Sequence, residues 1–179
     1  ENIFVIPMDK RSYTNQMQYL FRSLHYNHSI ALGMAGENGT SATLHALKTY
    51  GYDTDDVDPR FEKNYYAGVV YDLNNTIVKT DLGKTLEYLP WEIKLDLSNS
   101  PHLKTAGARM KKYAIDKTNI KDGKLIDNDI VLFRYADALL MKSEAKVRNG
   151  MNGDIELNEI RSRVNAVPRV ATLKNLLDE

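Results

Sequence analysis

Four aspartates crowd into six positions at Asp53, Asp55, Asp56 and Asp58, an opening like that of a calcium-binding loop. Such a loop needs a glycine at its sixth position for the sharp turn and a bidentate glutamate at its twelfth. Asp58 and Asn64 stand there instead, so the expectation is a solvated acidic turn. His25 and His28, in HYNH, have types suited to a transition metal, but no third ligand follows at a useful spacing. The segment reads as a surface loop, and no metal and no cofactor are expected. The chain has no cysteine, which excludes disulfides and thiolate metal sites. G-x-S-x-G does not occur, and the glycine-rich GMAGENGT lacks the lysine of a phosphate loop. Carboxylates are plentiful, so a glycosidase pair is a question of geometry rather than of composition.

The aromatic stock points elsewhere. Eleven tyrosines and one tryptophan are present, and Tyr26, Tyr65, Tyr66 and Trp91 fall in or beside predicted loops. A flat ring can cover the C–H face of a sugar while nearby amides and imidazoles bond its hydroxyls. His25, Asn27 and Asn38 are placed to supply those polar groups. The candidate ligand-binding set is therefore His25, Tyr26, Asn27, Asn38, Tyr65, Tyr66 and Trp91, against the commoner fate of aromatic residues as core.

The elements that must hold these residues are mixed. Asn2 to Pro7 reads as a strand, residues 13–24 as helix or loop, and 25–40 as a Gly- and Asn-rich loop. A helix is expected from Thr43 to Tyr50, capped by Ser41 and ended by Gly51. Residues 61–90 hold short strand candidates (YYAGVVY, TIVKT, TLEYL) between DLNN and DLGK turns, and MKKYAI is another. From Asp127 onward the character is helical. The 179 residues carry 24 basic and 24 acidic side chains, so zero net charge gives no reason to expect nucleic acid as partner. Strand-like residues begin almost at once and the last residues read as a truncated helix, which suggests a piece of something longer. One region is expected over 1–179, with a loop-rich mixed part at 1–126 and a helical part at 127–179.

DIVLFRYADALLMKSEAKVRNG, residues 129–150, sets charges inside an apolar run. Read as one helix over 129–149 capped by Asp127 or Asn128, its apolar positions cover most of the circumference. Arg134–Asp137 and Glu144–Arg148 then fall at i,i+3 and i,i+4. Charge within packing is tolerable when paired, so Arg134, Asp137, Glu144, Arg148 and Arg161 are expected to form a structural network. Arg161 would reach back to Asp137 or Glu144. A second helix, capped by Asp154, is expected over 154–165 with a Leu157/Ile160/Val164 stripe, and Thr172 caps a third. Antiparallel helices joined by a tight turn suggest tetratricopeptide-like hairpins, although the 34-residue repeat signature is absent.

NDIVLFRYADALLMKSEAKVRNG followed by ELNEIRSRVNAVP resembles the C-terminal region of the SusD/RagB family, surface glycan-binding lipoproteins of Bacteroidetes-type bacteria. The resemblance is carried by Arg134, Tyr135, Ala136, Asp137, Leu139, Leu140, Met141, Glu144, Ala145, Gly150, Leu157, Asn158, Ile160, Arg161 and Arg163. Weaker echoes are HY at 25–26, ENG at 37–39, Asp58-Pro59-Arg60 and GARMKKY at 107–113. Glu37 stands where the family often has tryptophan. The resemblance implies a mainly α, SusD-like fold. It also implies oligosaccharide binding at the outer membrane, delivery to a TonB-dependent (SusC-like) transporter, a lipid anchor outside this chain, and no catalysis. The alternatives are a helical-repeat scaffold for another protein and, further off, a glycoside hydrolase.

Overall fold

The computed structural model describes residues 2–9, 11–12, 22–94, 96–113, 122 and 127–179. Strand β1 (Asn2–Ile6) pairs antiparallel with a strand far along the chain, with Ile6 opposite Ile130 and Phe4 opposite Phe133. The expected 129–149 helix is thereby corrected, because Ile130–Arg134 is extended and the helix begins at Tyr135. Isoleucine, valine and phenylalanine fit a pleated surface better than a helix. The N-cap is Arg134 rather than Asp127 or Asn128, and Asp137, three residues on, reaches back so that its carboxylate accepts the backbone N–H of Arg134 at 2.7 Å. Asp129 Oδ1 accepts the N–H of Met8 at 3.1 Å, which extends the strand contact by one side chain.

The mixed part is built from small pieces. Residues Tyr26–Ala31 form helix α1, where a loop is expected. The His25 imidazole makes this possible by accepting the N–H of Asn27. Helix α2 (Leu44–Thr49) is capped by Thr43 rather than Ser41, and Gly51 follows it at φ +67°. Helix α3 is Phe61–Asn64. Strand β2 (Tyr65–Tyr66) and strand β3 (Gly68–Val69) come next, and β3 pairs with β4 (Glu87–Tyr88). Strand β5 (Arg109–Met110) pairs with β2, setting Tyr66 opposite Arg109. Between β3 and β4 the chain zigzags through a Tyr71–Ile77 bridge and a Lys79–Thr85 bridge. Asp72 closes the first turn by accepting the N–H groups of Asn74 and Thr76, both at 2.8 Å. Two small cores result, one of Ala42, Leu47, Phe61 and Ala108, the other of Val70, Val78, Leu86 and Tyr88.

The strand pairing with β1 is β6 (Ile130–Arg134), and it runs directly into helix α4 (Tyr135–Arg148). With the β6 residues removed from its count, α4 is buried along one stripe of Ala136, Leu139 and Ser143, while Met141 is exposed. The helix ends as expected at Asn149-Gly150. Met151 N–H reaches Lys146 O at 2.9 Å and Gly150 N–H reaches Val147 O at 3.1 Å, with Gly150 at φ +71°. These two bonds make a Schellman closure. Helix α5 (Asp154–Ser162) ends earlier than expected, in a turn that includes Asn165 at φ +56°. Asp154 is not its cap: Gly153 holds that position, and the Asp154 carboxylate accepts from Ala171 N–H at 2.6 Å. Thr172 does cap the last helix, α6 (Leu173–Asp178), accepting from Asn175 N–H at 3.1 Å. Helix α4 packs on both α5 and α6, and Ala136, Leu139 and Ile160 form the core between α4 and α5. Residues 13–21 and the end of the MKKYAI segment lie outside the described residues.

Candidate functional site

Four aromatic rings gather on one side of the mixed part. Tyr52 stacks on Phe61 with ring centres 4.3 Å apart, and Phe61 lies 5.4 Å from Tyr65. Trp91, half-exposed, is tilted against Tyr52 at 5.7 Å. Phe61 is the buried member of this ladder because α3 delivers it into the core beneath. Beside the ladder is a cleft of about 480 Å³ whose walls include Tyr52, Tyr65, Tyr66, Tyr71, Glu62 and Lys111. Strand β2 contributes Tyr65 and Tyr66 to its wall. Lys111, the residue after β5, holds its ammonium 5.0 Å from the centre of the Tyr66 ring. Burial pushes the Tyr65 and Tyr66 phenols up, so both stay protonated donors at neutral pH.

Behind the cleft lies a buried polar group that a loop reading of this segment does not anticipate. His28 is fully buried, its Nδ1 is 3.1 Å from the Tyr88 hydroxyl, and its ring stands perpendicular to Tyr66. The same hydroxyl accepts the His25 N–H at 2.8 Å. Burial first, then the nearby His25 and Lys111, lower the His28 pKa to about 4. Its Nε2 is buried without a partner among the described residues. The guanidinium of Arg109 sits 5.1 Å over the other ring of this group, Tyr88. Arg109 is buried and, among the described residues, bonds only carbonyls, those of Ser23 and Thr40 at 3.1 Å and Lys104 at 3.3 Å. It thereby ties three loops to β5.

The structure divides the seven residues singled out as ligand-binding. Tyr65 and Tyr66 line the aromatic cleft, and Trp91 adjoins it through Tyr52. His25 is buried and lines a different cavity, between the 80–85 turn and the 101–105 loop. Asn27 lines neither cavity; its Nδ2 donates to Asp81 Oδ1 and to Lys79 O, each at 2.9 Å. Tyr26 is half-exposed on α1, edge-on to His25. Asn38 serves the backbone. At φ +53° its N–H reaches Leu24 O at 3.0 Å, and its Oδ1 is buried without a partner among the described residues. Glu37 pairs loosely with Arg22 at 3.6 Å. His25 Nδ1 accepts the Asn27 N–H and His28 Nδ1 meets the Tyr88 hydroxyl, so each ring is oriented by a protein partner. Among the described residues no three His, Asp or Glu side chains converge as a metal site. Tyr52, Phe61, Tyr71 and Lys111 escaped sequence reading because no period links them. Their strand-like and helical neighbours are the only local signal.

The expected charged network is also redistributed. Arg134 is exposed, and Asp137 serves its backbone rather than its guanidinium. Glu144 and Arg148 do pair, at 2.6 Å, as a surface i,i+4 bridge. Arg161 does not reach Asp137 or Glu144. It is buried, bonds Val167 O at 2.6 Å and Glu179 at 2.5 Å, and lies 3.8 Å from Asp58. Asp58 is held by Arg60 at 2.7 Å, and Arg60 also pairs with Glu179. Two acids and two bases thus lock the acidic turn onto the last helices. The hydrogen bonds and charge of Arg60 keep Asp58 below the usual carboxylate range despite its burial.

A SusD/RagB family profile matches residues 1–174. The chain belongs to the SusD family. The starch-binding protein SusD of Bacteroides thetaiotaomicron is 34% identical over 73 residues, a match covering 40% of this chain and 13% of that protein. The surface glycan-binding protein A from Bacteroides uniformis superposes with a TM-score of 0.61 at 18% identity, over 99% of this chain and 33% of that one. That likeness is one of fold, so the arrangement of six described helices with short strands is SusD-like. This SusD-family chain spans about a third of its solved relative.

Proposed function

We propose that this chain helps to hold an oligosaccharide at the outer cell surface and to pass it to a TonB-dependent, SusC-like transporter. The aromatic cleft carries the reading. Tyr65, Tyr66 and Tyr71 offer ring faces and phenol donors, and Lys111 and Glu62 offer polar partners, in a volume of about 480 Å³ suited to a sugar unit. Family membership supports the same reading. So do the names of the two relatives, one starch-binding and one glycan-binding. Binding without catalysis fits the cleft: among its described lining residues Glu62 is the one carboxylate, whereas a glycosidase pair needs two. Residues 1–179 would act as one SusD-like region. The packed helices α4 to α6 would be a tetratricopeptide-like surface for the transporter rather than for sugar. No described helix is long and apolar enough to cross a membrane, and a lipid anchor would sit outside this chain.

The test is a glycan screen on the intact protein followed by calorimetry of Tyr65→Ala, Tyr71→Ala and Trp91→Ala with the best oligosaccharide. Each lost stacking ring is expected to cost on the order of 1–3 kcal/mol, by analogy with base stacking on aromatics. Wild-type affinity in all three folded variants would remove the cleft from the binding site.

A further inference from the structure

We propose that His28 is a positioning residue of the aromatic cleft: buried outside the lining, it fixes the Tyr66 ring that a ligand would meet. The inference rests on the reading of that cleft as a binding site. His28 has no exposed surface and is not part of the cleft wall, whereas Tyr66 is. The two rings lie 4.6 Å apart at 82°, so the edge of one meets the face of the other. That is a favoured geometry for an aromatic pair, and turning either ring loses it. Tyr66 has few other restraints. Its phenol makes no hydrogen bond among the described residues. The Val70–Tyr88 core packs against it, and the Lys111 ammonium lies 5.0 Å from its ring centre. His28 is itself held from behind. The fully buried Tyr88 hydroxyl accepts the His25 N–H at 2.8 Å, which leaves its own proton for His28 Nδ1 at 3.1 Å. The neutral ring is then the Nε2–H tautomer. Contacts thus run from the backbone at the start of α1, through Tyr88 and His28, to the cleft wall.

The arrangement needs an uncharged imidazole. A second proton would go to Nδ1, where the Tyr88 proton already points, and the hydroxyl would have to turn away. The surroundings supply cations rather than an anion. Tyr66 packs on His28 from β2 and Tyr88 from β4. The charges that bear on the ring are those of His25, at the start of α1, and Lys111, after β5. Arg109, on β5, lies over Tyr88. Glu87, beside Tyr88 on β4, is exposed and lines the cavity by the 80–85 turn instead. Glu62, on α3, lines the cleft. An imidazolium here repels Lys111, and the Tyr66 ring touches both. Acid therefore acts on the cleft wall through His28, and burial sets the onset low, with a pKa of about 4.

The experiment follows the ring signals of isotope-labelled tyrosine and histidine in the intact protein by NMR from pH 7.5 to 3.5, with Tyr66 assigned through Tyr66→Phe. Tyr66 and the His28 imidazole should shift together, with one midpoint near pH 4. Tyr65, the preceding residue on β2, packs on Tyr50 and Phe61 and should hold its signal. His28→Phe, which keeps a ring and removes the titrating group, should leave Tyr66 in place at neutral pH and abolish its acid shift. His28→Ala should move the Tyr66 signal at every pH. It should also weaken the oligosaccharide selected by the glycan screen at least tenfold, against less than threefold for His28→Phe. A Tyr66 signal that does not follow His28, one that moves only when Tyr65 moves too, or an acid shift retained in His28→Phe would each overturn the proposal. The signals need no sugar. A protein that binds no screened glycan would refute the cleft as a binding site, while Tyr66 still decides the role of His28.

Discussion

Arg134 and Arg161 look alike in the sequence, each an arginine in a helical run near an acid, yet the structure gives them opposite weights. Arg134→Ala should change unfolding free energy by less than about 0.5 kcal/mol, as for other exposed positions. Asp137→Ala, which removes the acceptor at the α4 start, should cost about 1 kcal/mol. Arg161→Ala leaves Asp58 and Glu179, with side chains 5% and 1% exposed, short of one cation. Arg60 remains, so a loss near the lower end of ~3–5 kcal/mol is expected. Denaturant unfolding of the three variants checks the ranking. The spacing rule that groups Arg134 with Asp137 sees only neighbours on one helix. The partner of Arg161 at Asp58 is far off in sequence, where periodicity carries no information. His28 adds a pH dependence. Its folded pKa is about 4 against an ordinary 6.5, so the unfolded chain binds more protons between those values. Stability should be full above about pH 6.5 and fall as pH drops towards 4, by on the order of 3 kcal/mol. His25, also lowered by burial, pulls the same way. Unfolding curves at pH 7.5, 5.5 and 4 that coincide would contradict this.

At the scale of elements, the hairpin of α4 and α5 is set by a close approach. A Cβ at Gly153 would stand 2.5 Å from Ser143 Oγ and 2.8 Å from Ser143 O, where the Ser143 hydroxyl now donates to Gly153 O at 2.7 Å. Gly153→Ala should therefore destabilise by about 1–3 kcal/mol through overpacking, seen as a lowered melting temperature. Helix α5 is legible from its Leu157/Ile160 spacing and the joint from Asn149-Gly150, whereas the apolar positions of 129–149 cover too much of the circumference to mark where α4 begins. The strand before α4 is not legible. Ile130-Val131-Leu132-Phe133 continues an apolar run, and a run alone does not separate a helical turn from an extended segment. What decides is β1 across the sheet together with the Asp137 cap. Helix α1, where the sequence reads as a loop, is hidden for a related reason. Its cap is a histidine, His25, a residue whose type does not mark a helix start.

Across the whole molecule, the resemblance of the 127–168 residues conveyed the fold class, while the cleft emerged only from pairings between distant segments. Tyr66 meets Lys111 because β2 pairs with β5, and Tyr52 meets Phe61 and Trp91 through packing. The β1–β6 sheet leaves Ile3, Phe4, Leu132 and Phe133 about half-exposed or more, an apolar patch of the kind that drives association. Residues 1–179 expressed alone should self-associate and bind an apolar dye. Phe4→Lys with Phe133→Glu should reduce both, as light scattering would show; a monodisperse wild-type chain would contradict this. The same sheet sets a schedule for synthesis. Ile6 waits for Ile130, 124 positions later, before its ladder can form. At ~5–20 residues per second the ribosome needs roughly 6 to 25 s to supply the partner. For that interval β1, with Ile3 and Phe4 already made, lacks the strand that pairs with it among the described residues.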